Sequence, residues 1–262
     1  SSGTQTEIFA RYTEKLYRLD SLYRRSLRAY RSAGSLGSLS AVIERLEGRY
    51  SHHFLQPLSE VWDATVSACG TPVPSGVMVQ ERFFRDVVRP SLNRGEKLVV
   101  VISDALRYEA GCELKERLAA LNRIQARVEA VSAAIPTVTA VGMNALLPHE
   151  RLQIGSSGEV RIDGQLIAGI EGRSKYLSDY VASRMKGKKA AAFWADYLLR
   201  LPTAAAREVI SGMDLLYIYS NGIDAAADNA KTEASLPDAV AAELDTLEGI
   251  VKKFANQLNR TH

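Results

Sequence analysis

Residues 97–103, Lys-Leu-Val-Val-Val-Ile-Ser, are a short unbroken run of apolar, mostly β-branched side chains. A strand with one wet face alternates. A run that is apolar on both sides of the pleat must be covered on both faces, as in a parallel sheet packed between helices. Leu215–Ser220, Leu-Leu-Tyr-Ile-Tyr-Ser, repeats the pattern. Between them, residues 124–132 alternate and predict a second strand. Helical periodicity fills the intervals at 109–121, 141–147, a segment carrying Tyr176 and Tyr180, and 204–211. It returns at 236–258, where Val240, Leu244, Leu247, Val251, Phe254 and Leu258 share one side. This alternation predicts an α/β fold with a mainly parallel sheet flanked by helices. Residues 152–170 alternate around Gly155, Gly158 and Gly164, which predicts a small β insertion at about 151–170.

The chain before this core reads as all-helical. Phe9, Tyr12, Leu16, Leu19, Tyr23, Leu27 and Tyr30 recur at helical spacing, and the Ser/Gly-rich stretch 32–40 breaks the helix. Helices follow at 40–48 and 52–68, and another at 79–88 stops before Pro90. The expected organisation is a helical region over 1–95 and an α/β core over 96–262.

Composition removes several function classes. Lys plus Arg is 33 against 30 Asp plus Glu, a net charge of +3, which is no polycationic nucleic-acid binder. With 46% hydrophobic residues the chain is not wholesale disordered. It has no long apolar span for a membrane and no basic-then-apolar leader. Cys69 and Cys112 are the only cysteines. They make neither a disulfide scaffold nor a zinc knuckle, and a reducing cytoplasm is the simplest setting. The glycines at 155–164 are followed by no Gly-Lys-Ser/Thr, so no phosphate loop of a nucleotide motor is present. Arg11, Arg18, Arg24, Arg25, Arg28 and Arg31 make the first helix basic; a solvated or interdomain face and a phosphate contact both fit.

In open α/β sheets ligands bind beyond the carboxyl ends of the strands, so the polar residues there carry the functional reading. Asp104 directly follows the first strand; it is either a cap for the next helix or a carboxylate at the ligand edge. Thr137 and Thr139 lie in Ile135-Pro-Thr-Val-Thr-Ala-Val-Gly-Met143 at the start of a helix. They are either caps or hydroxyl nucleophiles where N–H groups can hold a phosphate. No histidine stands nearby as a base, so a nucleophile here needs metal activation. Asp224 and Asp228 stand four apart after the last strand, either solvated or sharing a cation. Lys231 and Glu233 beyond them read as surface residues. Together these residues offer what a divalent-metal site with a hydroxyl nucleophile needs.

The order Asp104, Pro136-Thr-x-Thr139, Asp224-x-x-x-Asp228 resembles the alkaline phosphatase superfamily. Within it the chain resembles the PglZ family of bacteriophage-exclusion (BREX) systems, through Val100-Val-Ile-Ser-Asp-Ala-Leu-Arg-Tyr-Glu-Ala110, the Ile135–Pro148 phrase, Tyr217-Ile-Tyr-Ser-Asn-Gly-Ile-Asp224 and, in the helical region, Tyr17-Arg-Leu-Asp-Ser-Leu-Tyr-Arg-Arg25. The resemblance implies a metal-dependent phosphatase or phosphodiesterase. Asp104, Asp224 and Asp228 are then metal ligands, and Thr139, with Thr137 as fallback, the nucleophile. In-line displacement would give a phosphothreonine that water hydrolyses. It implies zinc, with Mg or Mn admitted because Asp228 stands where the superfamily usually carries His. The implied substrate is a phosphorylated molecule, nucleic acid included, and the implied partners are other BREX components such as a methyltransferase. The alternative is a non-catalytic interaction module for those components. No later Asp-His pair or final His matches: His52 and His53 lie in the helical region, His149 follows a Pro, and His262 is the last residue. The expected metal site is therefore incomplete, and the chain is expected to stop before the remaining ligands.

Overall fold

The computed structural model describes residues 3–122, 124–228 and 235–258. In chain order the helices are α1 (Gln5–Arg11), α2 (Tyr17–Ser32), α3 (Gly37–Tyr50), α4 (Gln56–Cys69), α5 (Arg89–Asn93), α6 (Tyr108–Ala119), α7 (Thr139–Ala145), α8 (Gly169–Arg184), α9 (Ala195–Arg200), α10 (Thr203–Ile210), α11 (Gly222–Ala227) and α12 (Leu236–Leu258). The strands are β1 (Leu98–Ser103), β2 (Leu152–Ile154), β3 (Val160–Ile162), β4 (Gln165–Leu166), β5 (Ala190–Trp194) and β6 (Leu215–Ser220). They form two compact units, one of residues 1–77, 106–130 and 225–244, the other of residues 78–105, 131–224 and 245–262.

The first unit is helical. A π turn at Tyr12–Leu16 joins α1 to α2, and another at Ser51–Leu55 joins α3 to α4. Thr4 opens α1 with a capping box: its Oγ1 accepts the Glu7 N–H and the Glu7 carboxylate accepts the Thr4 N–H. Gly70 ends α4 in the left-handed region at φ 69°, a conformation a residue without Cβ adopts freely, and returns its N–H to the Val66 carbonyl. The tyrosine stripe of the sequence is packing. Tyr23 stacks on Tyr50 with centroids 3.8 Å apart, and Asp20 accepts the hydroxyls of Tyr12 and Tyr50. Burial first, then that carboxylate, pushes both phenols above the ordinary tyrosine value. Arg24 of α2 is buried against Glu109 and Glu113 of α6, and Arg31 meets Asp238 at the start of α12. These two arginines of the basic helix therefore face other elements of their own unit.

The second unit is built on a parallel sheet of order β1-β6-β5. Every residue of the central strand β6 is buried, which is why its sequence shows no alternation. Tyr217 and Tyr219 face a core made with Ile102, Met143, Leu147, Tyr176, Leu177 and Val181, so α7 and α8 cover this side. Leu216 and Ile218 face Ala195, Leu198, Ile250 and Phe254, so α9 and the later part of α12 cover the other. The Lys253 ammonium of α12 donates to the Leu198, Leu199 and Leu201 carbonyls at the end of α9, groups that a helix terminus leaves without partners. A separate antiparallel sheet, β2-β3-β4, lies within 152–166. Asp163 and Gly164, at φ 49° and 80°, form its tight β3–β4 turn.

Two expectations need correction, and one strand is unexpected. Residues 124–131 form no ladder; only Ser132 bridges Val79. Ile124, Ala126, Val128 and Ala130 are half-buried while Gln125, Arg127 and Glu129 are exposed. Alternation reports one covered face, and an extended segment lying on its own unit has that without a strand partner. The helix near Val79 does not stop before Pro90: a π turn, Phe84–Val88, runs into α5 with Pro90 in its first turn, where the missing N–H is not required. Strand β5, Ala-Ala-Ala-Phe-Trp, carries little strand signal in its sequence because alanine has little β preference. It forms because Ala190 and Ala192 sit under the large side chains of α8.

Candidate active site at the carboxyl edge of the sheet

β1 and β6 run parallel with Ser103 opposite Ser220, so both strands end at one edge. Asp104 is the next residue after β1, and its N–H donates to the Ser220 carbonyl at 2.9 Å. The chain turns there through Ala105, which lies in the left-handed region at φ 61°. For a residue with a Cβ this costs roughly 1–2 kcal/mol, and such outliers cluster at functional sites. The turn brings the Ala105 N–H onto Asp104 Oδ1 at 3.0 Å. Asp104 Oδ2 is buried and has no hydrogen-bond partner. Asp104 is not the cap of the next helix, since α6 starts at Tyr108 with Arg107 in the N-cap position.

Thr139 is the first residue of α7, and Thr137 lies two residues before it; both are exposed. Neither caps the helix, whose N-cap is Val138 with no side-chain bond. The first backbone bonds of α7 run from the Val141 and Gly142 N–H groups to the Val138 carbonyl. The helix is fixed from below by buried Val141, Met143, Ala145 and Leu147. Gln80 holds the segment from both ends. Its Oε1 accepts the Ala134 N–H and its Nε2 donates to the Gly142 carbonyl, each at 3.0 Å. A glutamine in a helical stretch carries no local signal of that role.

Asp224 is in the first turn of α11, immediately after β6, and is half-buried. α11 ends at Ala227, so Asp228 stands one residue past the helix and is exposed. The four-residue spacing therefore does not become a helical i,i+4 pair. Lys231, Glu233 and His262 lie outside the described residues. His52 and His53 are exposed in the second π turn, and His149 pairs through Nδ1 with the Leu147 carbonyl at 2.7 Å. Among the described residues, no three or more His, Cys, Asp and Glu side chains group so as to hold a metal ion.

Further polar groups of the second unit belong to the elements around this edge. Asn144 of α7 donates to the Ala140 carbonyl while its Oδ1 is buried and unpartnered. The Tyr219 hydroxyl and Arg173 Nε are likewise buried without partners. The Arg173 guanidinium lies over the Tyr219 ring, 5.1 Å from its centroid. Burial pushes the Tyr219 phenol up, and Arg173 partly opposes it. No helix among the described residues is long and apolar enough to cross a membrane. Cys69 is exposed and Cys112 buried, both free.

Residues 83–262 match the model of the BREX system PglZ alkaline phosphatase-like domain. The chain is 32% identical over 260 residues to the alkaline phosphatase-like protein BrxZ of Escherichia coli O9:H4 (strain HS), an alignment covering 95% of this chain and 29% of that protein. It is 28% identical over 258 residues to the alkaline phosphatase-like protein PglZ of Bacillus cereus (strain H3081.97), covering 98% of this chain and 30% of that protein. The chain thus spans under a third of the length of these relatives.

Proposed function

Because the chain belongs to the BREX PglZ alkaline phosphatase-like family, we propose that it carries the nucleophile and part of the metal-binding set of a phosphoric ester hydrolase acting in a BREX system. The observation that carries this is Asp104: a carboxylate at the carboxyl edge of a parallel sheet, set by a left-handed turn, with one buried oxygen left unbonded. A buried carboxylate oxygen without a donor costs free energy, and a divalent cation is the partner whose chemistry it fits. Asp104 and Asp224 are the residues of the second unit that would hold such ions. Oxygen ligands admit Mg or Mn as well as zinc, and a resident zinc needs about four ligands. What a divalent ion supplies when bound is a lowered hydroxyl pKa and shielding of phosphate charge.

The chain's own residues do the rest. Thr139 presents its hydroxyl at the open start of α7, with Thr137 as the fallback. Its Oγ1 gives up its proton to solvent and forms the bond to phosphorus as the bond to the leaving oxygen breaks, the leaving oxygen taking up a proton from water; water later cleaves the phosphothreonine, restoring the hydroxyl and releasing the phosphoryl group. Gln80 and the buried side of α7 hold Thr139 in place, so attack needs little reorganisation. The substrate class is a phosphoester, nucleic acid included, and the free cysteines suit a cytoplasmic setting. The test is turnover of bis(p-nitrophenyl) phosphate by the whole protein with added divalent metal. Thr139→Ala abolishes it; unchanged turnover removes the nucleophile assignment.

A second reading makes the helical unit a docking module for other BREX components such as a methyltransferase. It is favoured by apolar side chains exposed on the helices, among them Leu22, Val42 and Leu55. Failure of the 262-residue chain to retain those components in a pull-down counts against it.

A further inference from the structure

We infer that Arg173 is the anion-binding residue of this site, its guanidinium set by Tyr219 to take the non-bridging oxygens of a phosphoryl group. The inference deepens the reading above and rests on it. Among the described residues, four buried side-chain polar atoms have no hydrogen-bond partner: Asp104 Oδ2, Asn144 Oδ1, Arg173 Nε and the Tyr219 hydroxyl. All four belong to one unit. They come from the residue after β1 and from α7, α8 and β6, and those four elements contribute to one core on one side of the sheet.

The position of Arg173 follows from the periodicity of α8. Tyr176, Leu177 and Val181 are its buried residues, facing the sheet core. Arg173 precedes Tyr176 by three and Leu177 by four, so it begins the same stripe. α8 feeds β5 through the short turn at 185–189, and the Ser174 hydroxyl accepts the Ala192 N–H at 2.9 Å. The helix therefore runs back along the strand, and its first turns lie toward the carboxyl ends of β5 and β6. Tyr219, the residue under Arg173, is the last but one of β6 and pairs with Ile102, two residues before Asp104. The ring fixes the guanidinium plane without accepting its N–H groups. A half-buried, always-charged fork whose Nε–H is buried and unspent suits the oxygens of a phosphate, which it can hold with two parallel bonds.

A purely structural arginine predicts a different result. Packing on Tyr219 would make Arg173 matter for stability and leave anion affinity alone. The experiment is titration calorimetry of inorganic phosphate into the whole protein, with chelator and again with divalent metal, for wild type, Arg173→Ala and Arg173→Lys. The expected result is a loss of about 10- to 100-fold in phosphate affinity for Arg173→Ala, the range of a charge-assisted hydrogen bond. Arg173→Lys should lose less, because it keeps the charge without the fork. Thermal midpoints read alongside identify a variant that fails to fold, and then the lysine variant decides. Equal phosphate affinity in wild type and the folded variants overturns the inference, as does wild type that binds no phosphate in either condition. Thr139→Ala turnover is scored separately, so loss of the nucleophile assignment and loss of the Arg173 assignment are distinct outcomes.

Discussion

Replacing Arg24 with methionine tests how the helical unit is held together. The Arg24 and Glu109 side chains are only 10% and 4% exposed. Arg24 Nε donates to Glu109 Oε1 at 2.8 Å and Nη2 to Oε2 at 2.9 Å, a two-bond fork, and Nη2 also reaches Glu113 Oε2 at 2.7 Å. Methionine keeps much of the stem and removes the charge. Glu113 retains Arg117 at 2.7 Å, but Glu109 is left as a buried carboxylate without its partner. Removing one member of a buried pair costs about 3–5 kcal/mol, a large share of the roughly 5–15 kcal/mol that holds a typical protein folded. Arg24→Met is therefore expected to lose about that much in urea unfolding of the 262-residue chain at neutral pH, followed by far-ultraviolet circular dichroism. Arg24→Met with Glu109→Met should recover most of it, because a buried pair exchanged for apolar side chains of similar volume is often neutral or stabilising. A single-variant loss under about 1 kcal/mol, the scale of an exposed ion pair, refutes the reasoning. So does a double variant less stable than the single one.

The same network gives a pH dependence. Burial pushes the Glu113 carboxyl up, but hydrogen bonds from Arg24 and Arg117 outweigh it, and the net shift is downward. A carboxyl lowered in the folded state stabilises above its unfolded value, about 4.3. That stability is lost as pH falls through the folded value. Wild-type stability should therefore fall in acid, and Arg24→Met should flatten part of that fall.

Ala105→Gly should hold or raise stability, by up to about 1 kcal/mol, because relief of the left-handed strain, roughly 1–2 kcal/mol, offsets the flexibility glycine adds to the unfolded chain; a clear loss in thermal unfolding contradicts the strain. Gln80→Ala should cost about 1–3 kcal/mol by leaving the Ala134 N–H and Gly142 carbonyl unbonded. In the whole protein it should lower kcat more than it raises KM, and unaltered kcat would remove Gln80 from the positioning of Thr139.

The parts of the fold that the sequence exposed were those where one segment's pattern has one physical solution. Val99-Val-Val-Ile102 and Leu215–Tyr219 are apolar at every position, and only a doubly covered strand accommodates that. α12 shows its stripe over more than six turns. The misread parts depended on partners elsewhere. Residues 124–131 alternate because they have one covered face, and nothing in them says whether a neighbouring strand exists. β5 carries three alanines whose strand character comes from β6 beside it and α8 above it. Pro90 signals a stop because an ordinary α-helical interior requires the N–H it lacks, but here it falls in the first turn of α5 after a π turn.

The candidate site divides in the same way. Asp104, Thr139 and Asp224 were visible because each directly follows a strand or opens a helix, a position where side-chain chemistry is available to a ligand. Gln80, Asn144 and Arg173 were not, since each sits within a helical stretch and reads as an ordinary polar residue of one. What brings Asp104 beside the end of β6 is the parallel pairing that sets Ser103 opposite Ser220, between segments separated by most of the α/β unit. Arg173 stands one turn ahead of the buried Tyr176 and Leu177 on α8, over the ring of Tyr219. Local sequence exposes the candidate reactive groups; Gln80, Asn144 and Arg173 depend on packing between elements distant in the chain. Four buried polar atoms without partners become informative for that reason. A folded protein satisfies nearly all such atoms, so each of these four positions is where a cation, an anion or a water is worth seeking.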